Sequence, residues 1–305
     1  MTTTNTVGSG KYTYEMDEHW AKVPDGWKMP ACAVYGDSQD RVYCFNRDPD
    51  HPVMIFDREG NYLSSWGAGL FLFPHAIILD KDDNVWLVER NDCQIMKFTP
   101  DGKLLMTIGV KGFRSDTGVD NTVFSSTGYG DVTHGGDPFN LPAGIAVNDA
   151  GEVFIADGYA NARVHKFAAD GKHLMSWGGP GSGPGEFNLP HGAWIDSKGR
   201  LLIADRENDR IQAFTQDGEY ITTWPSKLIG AAVMYVDDED IVYVAEHNGG
   251  LVSILNLDGE ILAQWGDLTH RSCHGIWVDS HKDLYVVEPY EGSQGRTVVK
   301  FTRKS

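Results

Sequence analysis

Apolar residues in this chain come in short runs broken by turn residues, and no run keeps the spacing of an amphipathic helix. The stretch Pro190 to Asp205 shows the pattern: an apolar run through Ile195, a turn at Ser197, Lys198 and Gly199, and a second run from Leu201 that ends on Ala204 and Asp205. Two strands and a tight hairpin fit this spacing better than a helix, which would need a longer periodic run. The pattern recurs with Ala31, His75, Ala143, His191, Ala232 and His274 at the equivalent position, so that histidine and alanine alternate. Most repeats then close with a third run, an Asp-Gly type turn and a final strand, as in Asp170 and Gly171 leading to Trp177 and Gly178.

A period of about 40 residues holding four short strands marks a propeller blade. The chain therefore reads as an all-β, six-bladed β-propeller in a single domain spanning residues 1–305. Its blades are expected at about 30–67, 73–109, 140–178, 189–224, 229–266 and 272–305. The last stops short of a fourth strand. An N-terminal segment at about 10–22, rich in β-prone aromatics such as Tyr12, Tyr14 and Trp20, is expected to supply that strand and remove an open sheet edge. The stretch 110–139 is too long and glycine-rich for an ordinary connection and reads as a lid-like insertion on the histidine side; the glycine-rich loop 178–186 is a second lid candidate.

Composition narrows the classes. Forty-three acidic against 26 basic side chains, a net charge of −17, exclude a basic face for nucleic acid and disfavour anionic membranes. No apolar run is long enough to span a bilayer, and the N-terminal residues lack the basic and apolar regions of a signal peptide. Cys32, Cys44, Cys93 and Cys273 are scattered without disulfide or metal spacing, so they are expected to be reduced thiols in a cytoplasmic protein.

A closed ring of these repeats would aim His75, His191 and His274 at one axis, and three converging imidazoles are a metal site. With no carboxylate among them, a divalent ion would keep its charge and an open coordination position, the make-up of a catalytic zinc site. Second strands end beside the starts of first strands, so Arg47, Arg90, Tyr159, Arg206 and His247 share the same rim. Arg47 and Arg206 offer planar forks for a substrate carboxylate. Tyr159, set among cations, is a candidate general base. Arg163 and Arg210 recur at a framework position and are expected only to tie blades together.

The segments Phe45-Asn-Arg47, Phe73-Pro-His-Ala-Ile77, Asp157-Gly-Tyr-Ala-Asn-Ala-Arg163, Leu189-Pro-His-Gly192 and Ala204-Asp-Arg-Glu-Asn-Asp-Arg-Ile-Gln212 give the chain a family likeness. It resembles an NHL-repeat propeller, and within that class the catalytic core of peptidyl-α-hydroxyglycine α-amidating lyase, across all the blades. The resemblance implies that His75, His191 and His274 hold zinc, that Tyr159 is the base, and that Arg47 and Arg206 hold the substrate carboxylate and stabilise developing charge, with Arg90 and His247 shaping the rim. It implies a lyase that splits the C–N bond of an α-hydroxyglycine derivative into an amide and glyoxylate without consuming water. The same constellation could serve a metal-dependent hydrolase or hydratase, and NHL propellers also serve as binding platforms.

Departures from the family refine the expectation. The last ligand sits in Ser272-Cys273-His274-Gly275, without the acidic neighbour associated with the family's structural calcium, so calcium is not expected. Asn140, Ala160, Leu202 and Ala213 stand where secreted members have disulfide cysteines. A small-molecule substrate bearing a carboxylate, such as an N-acyl-α-hydroxyglycine or another hydroxy acid, is expected rather than a secreted peptide.

Overall fold

The computed structural model describes residues 6–122, 128–266, 272–287 and 298–304, and within them the chain forms six antiparallel sheets. Blade 1 comprises strands Ala31–Gly36, Val42–Asn46, Val53–Phe56 and Tyr62–Trp66, from the axis outward. Blade 2 comprises Pro74–Leu79, Val85–Glu89, Gln94–Phe98 and Leu104–Ile108. Blade 3 comprises Pro142–Val147, Val153–Asp157, Arg163–Phe167 and His173–Trp177. Blade 4 comprises Pro190–Ile195, Leu201–Asp205, Arg210–Phe214 and Tyr220–Thr223. Blade 5 comprises Ala231–Val236, Val242–Glu246, Leu251–Leu255 and Ile261–Gly266.

Blade 6 carries Gly275–Val278, Leu284–Val287 and Val298–Arg303, and Tyr12–Asp17 pairs antiparallel to the last of these, as the aromatic N-terminal segment leads one to expect. A further strand, Thr6–Ser9, pairs on the outside of Tyr12–Asp17 and makes this sheet five-stranded. Its short polar sequence, Thr-Val-Gly-Ser, carries no alternating pattern that would have marked it.

Apolar residues of adjacent sheets form the inter-blade core. Second strands such as Val153–Asp157 are buried along their whole length because both faces meet a neighbouring blade. The hairpins on the side away from the histidines share one device: Asp37, Asp80, Asp196, Asp237 and Asp279 each accept backbone N–H bonds from residues two and four ahead. On the histidine side, buried Glu89, Asp157, Asp205 and Glu246 end the second strands and cap backbone N–H groups of the connecting loops, those of Phe73, Asn140, Asn188 and Ile229.

The recurring Asp-Gly and Trp have a joint explanation. A Cβ added at Gly102, Gly218 or Gly259 would lie 2.7, 2.8 or 2.6 Å from the ring of Trp66, Trp177 or Trp224 in the preceding blade. Gly259 also has φ of +80°, a conformation costly for a side chain. Gly259→Ala should therefore cost about 2 kcal/mol of stability, from left-handed backbone strain plus overpacking. Denaturant titration checks this; an unchanged midpoint would mean that the Trp224 ring gives way freely.

Candidate metal centre

The histidine side of the ring is built by a bulge at the start of the innermost strands of blades 1 to 5, whereas in blade 6 His274 directly precedes an unbulged strand. In blade 2 Pro74 pairs with Glu89 and Ala76 with Val88, so His75 is left out of the ladder and its side chain is released toward the axis. The same irregularity isolates His191 between Pro190 and Gly192, Ala143 between Pro142 and Gly144, and Ala232 between Ala231 and Val233. In blade 1 the pairs are Ala31 with Asn46 and Ala33 with Phe45, which places Cys32, not Ala31, at the ring position. The alternation is therefore of histidine with small residues, one of them a thiol. The sequence misleads here because Pro30 and Ala31 imitate the Pro142 and Ala143 pair of blade 3 one residue out of register. Burial pushes the Cys32 thiol up to about 11, against the opposing pull of Arg47, and its Sγ faces the Phe45 carbonyl at 3.3 Å.

Each histidine leans on the next blade. Nδ1 of His75 lies 2.7 Å from the Ala143 carbonyl, that of His191 2.9 Å from Ala232, and that of His274 2.7 Å from Cys32. The three acceptors are the ring residues of the intervening blades. Close approach of the innermost strands needs glycine: a Cβ on Gly144 would sit 2.2 Å from the His191 carbonyl oxygen, and one on Gly192 2.5 Å from that of Ala232. A carbonyl only accepts, so the imidazole proton sits on Nδ1 and the Nε2 lone pair turns inward. All three rings are buried, and their ligand atoms lie within 4.8 Å of one another.

Burial holds all three imidazoles well below the ordinary histidine range; His274 and His191 add to this at His75, Arg206 and His274 at His191, and His247 and Arg47 at His274. Tyr159 Oη completes the cluster, 3.2 Å from His75 Nε2 and 3.1 Å from His191 Nε2. One phenol proton cannot satisfy two lone pairs. This buried spot is thus rich in electron pairs and short of protons, the donor set that a divalent ion fits. The histidine triad could bind a metal.

Tyr159 reaches that point through a local insertion. The backbone N–H groups of Arg47, Arg90, Tyr159, Arg206 and His247 make equivalent bonds to Pro30, Phe73, Leu141, Leu189 and Gly230, so these residues occupy one rim position. Blade 3 has an extra residue there, Gly158, whose added Cβ would lie 2.3 Å from the Pro190 carbonyl oxygen. Around Tyr159 the rim alternates guanidinium and ring. Arg47 and Arg90 cover Phe73 at 4.0 and 3.9 Å, and Arg90 lies 4.6 Å from the Tyr159 ring. Arg206 lies 5.5 Å from Tyr159 and 6.0 Å from Tyr129, and its Nη1 donates to Tyr159 Oη at 3.3 Å. Its Nε donates to Glu207 at 2.8 Å. His247 stands by His274, with ring centroids 6.0 Å apart, and burial followed by Arg206 lowers its pKa.

Sequence reasoning gave no role to Phe73 and Glu207, although both adjoin recognised motif residues, which was the available signal; Tyr129 of the insertion, expected from the sequence only as a lid residue to pack on Tyr159, also meets Arg206. Arg210 holds the Gly178–Glu186 loop through the carbonyls of Ser182, Gly183 and Glu186, and Arg163 reaches the Gly178 carbonyl. Both are framework residues, and that loop is clamped to blade 4. The described part of the insertion is tied to blade 3 as well, by Thr117 to the Ala160 carbonyl, Asn140 to the Ser115 carbonyl, and Gly136 to Asn161. Residues 123–127 of the insertion lie outside the described residues.

Below the histidines the axis narrows to a cavity of about 40 Å³, lined by residues including Tyr35 and Trp194, room for little more than an ion or a water. The opposite face opens into a bowl lined by Asp37, Asp40, Asp80, Asp83, Asp237, Asp238 and Asp279, which would repel an anion. Among the described residues, no helix is long and apolar enough to cross a membrane, and the four cysteines are buried thiols.

A family model described as a 6-bladed beta-propeller matches residues 139–250. NHL repeat-containing protein 3 of Homo sapiens is 28% identical over 260 residues, covering 80% of this chain and 70% of that protein. Peptidyl-alpha-hydroxyglycine alpha-amidating lyase 1 of Drosophila melanogaster is 33% identical over 184 residues, 56% of this chain and 30% of that protein's length. Among solved structures, a gluconolactonase from Xanthomonas campestris superposes with a TM-score of 0.67 at 11% identity, covering 98% of this chain and 95% of that one, a likeness of fold alone. Bulged inner strands, a closing N-terminal strand and these relatives together make the chain an NHL-repeat six-bladed β-propeller, with homologues named peptidyl-alpha-hydroxyglycine alpha-amidating lyase and NHL repeat-containing protein 3.

Proposed function

We propose that this propeller is a zinc-dependent lyase that cleaves the C–N bond of a carbinolamide, such as an N-acyl-α-hydroxyglycine or a related small hydroxy acid, to give an amide and glyoxylate. The observation that carries the reading is the convergence of Tyr159 Oη with the Nε2 atoms of His75 and His191 under the Arg206 guanidinium. Zinc held by His75, His191 and His274 would supply Lewis acidity toward the substrate hydroxyl. Arg206 and Arg47 receive the carboxylate on the end of the axis opposite the acidic bowl, and Arg90 fixes the Tyr159 ring from its face. Tyr159 as phenolate takes the hydroxyl proton. The O–H electron pair forms the new C=O bond, the C–N pair leaves to nitrogen, and the proton on Tyr159 is returned to that nitrogen. Atoms balance without water.

Relatives named NHL repeat-containing protein 3 allow a competing, non-catalytic reading as a binding platform. A rim of buried guanidiniums around a buried phenol counts against it, since a protein-binding face would expose such groups. Four buried thiols support a reducing, cytoplasmic setting. The substrate class is tested by comparing an N-acyl-α-hydroxyglycine with its carboxamide analogue. Loss of the charged bonds to Arg206 and Arg47 should lower kcat/KM by roughly 100-fold, about 2.7 kcal/mol. Equal turnover of the two would remove the arginines from carboxylate recognition, and turnover of neither would return the propeller to the platform reading.

A further inference from the structure

The geometry points to a second divalent-metal site, on the outer half of blade 3, formed by His165, His173 and Asp137. His165 lies in the third strand opposite Ser176, His173 opens the fourth strand, and Asp137 comes from the end of the insertion. The ligand atoms of the three lie within 4.8 Å of one another. His165 Nδ1 is 3.3 Å from Asp137 Oδ1 and 2.8 Å from Ser176 Oγ, and His173 Nε2 is 2.7 Å from the same hydroxyl. Donors about 2.0–2.1 Å from a tetrahedral ion stand about 3.3 Å apart, the spacing of His165 Nδ1 and Asp137 Oδ1, while the shorter contacts to Ser176 are hydrogen bonds that a metal would replace.

The surroundings prepare His165 as a ligand. It is completely buried, and its Nε2 is 3.2 Å from Oδ2 of buried Asp157. Asp157 holds the proton on Nε2, and because Asp137 favours a second ring proton on Nδ1, a metal bound there would displace that proton. Phe139 meets the His165 ring edge-on at 5.3 Å and Phe167 packs on His173 at 5.2 Å, which fixes both rings. Arg163 Nε lies 3.4 Å from Asp137 Oδ1 and shares that carboxylate. Two imidazoles, one carboxylate and one hydroxyl select zinc, cobalt or nickel over calcium or magnesium. The site shares no residue with the ring of His75, His191 and His274. It joins Asp137, and with it the insertion that carries Tyr129 toward Arg206, to the outer strands of blade 3.

The test is titration of the metal-free full-length protein with Zn²⁺ against a chromophoric chelator, for the wild type, His173→Ala and Asp137→Asn. His173 is exposed, so its replacement leaves the packed interior intact. The wild type is expected to bind one equivalent more than His173→Ala, or to bind that equivalent at least about 100-fold more tightly, with Asp137→Asn weakened in the same direction. Loading with Co²⁺ should give visible absorption bands that His173→Ala loses. Equal stoichiometry and affinity in wild type and His173→Ala would overturn the site and leave the cluster as a hydrogen-bonded bridge between Asp137 and Asp157. Because the result is a difference between two proteins, it does not depend on whether the ring histidines hold metal.

Discussion

His191→Ala should strip the axial centre of its metal, with affinity falling by at least about 100-fold, because two imidazoles cannot hold an ion that three were oriented to share. The fold should survive. Alanine already stands at the same bulged ring position in Ala143 and Ala232, and the neighbouring strands pack against it there. Metal analysis in a His173→Ala background isolates this centre from the outer cluster. A bound ion stabilises the native state by mass action, so a chelator should lower the melting temperature of the parent and leave that of His191→Ala unmoved. If His191→Ala, His75→Ala and His274→Ala all retained the ion at full strength, the ring would not be the metal site.

Tyr159→Phe should lower the turnover of an N-acyl-α-hydroxyglycine by about 10²- to 10⁴-fold, the usual worth of a positioned general base. Phenylalanine keeps the ring beneath Arg90 and beside Arg206, so stability and metal content should barely change. What disappears is the oxygen that faces His75 and His191. A variant that kept its maximal rate but raised KM would assign Tyr159 to packing. The base would then have to be sought elsewhere, and the lyase reading would give way to a hydrolase or hydratase.

Arg206 separates two roles that rim position alone leaves merged. It donates both to Tyr159 Oη and to Glu207, so it is held in place before any substrate arrives. Arg47 is half-buried, stacked on Phe73, with its Nε 3.4 Å from the Pro74 carbonyl, and it keeps much of its fork available. In the proposed reaction preorganised Arg206 would stabilise charge at the phenol oxygen in addition to meeting the carboxylate, while Arg47 would meet the carboxylate alone.

What the sequence determined was the architecture and the identity of the three histidines. Short apolar runs, the turn residues between them and Asp-Gly turns are local signals, and repetition around the ring amplifies them until blade number and the shared rim can be read directly. The aromatic segment from Tyr12 was legible as the closing strand because blade 6 lacked a partner for Val298–Arg303. The tertiary structure decided what depends on register and on contacts between distant residues. The bulge that places Cys32 rather than Ala31 in the ring is a property of strand pairing, since a one-residue slip reverses which side chain faces the axis. The Nδ1 bonds of His75 and His191 and the Arg47–Phe73–Arg90 stack join consecutive blades, the bond of His274 to Cys32 joins the two ends of the ring, and Asp137 meets His165 and His173 through the packing of a connection on its blade.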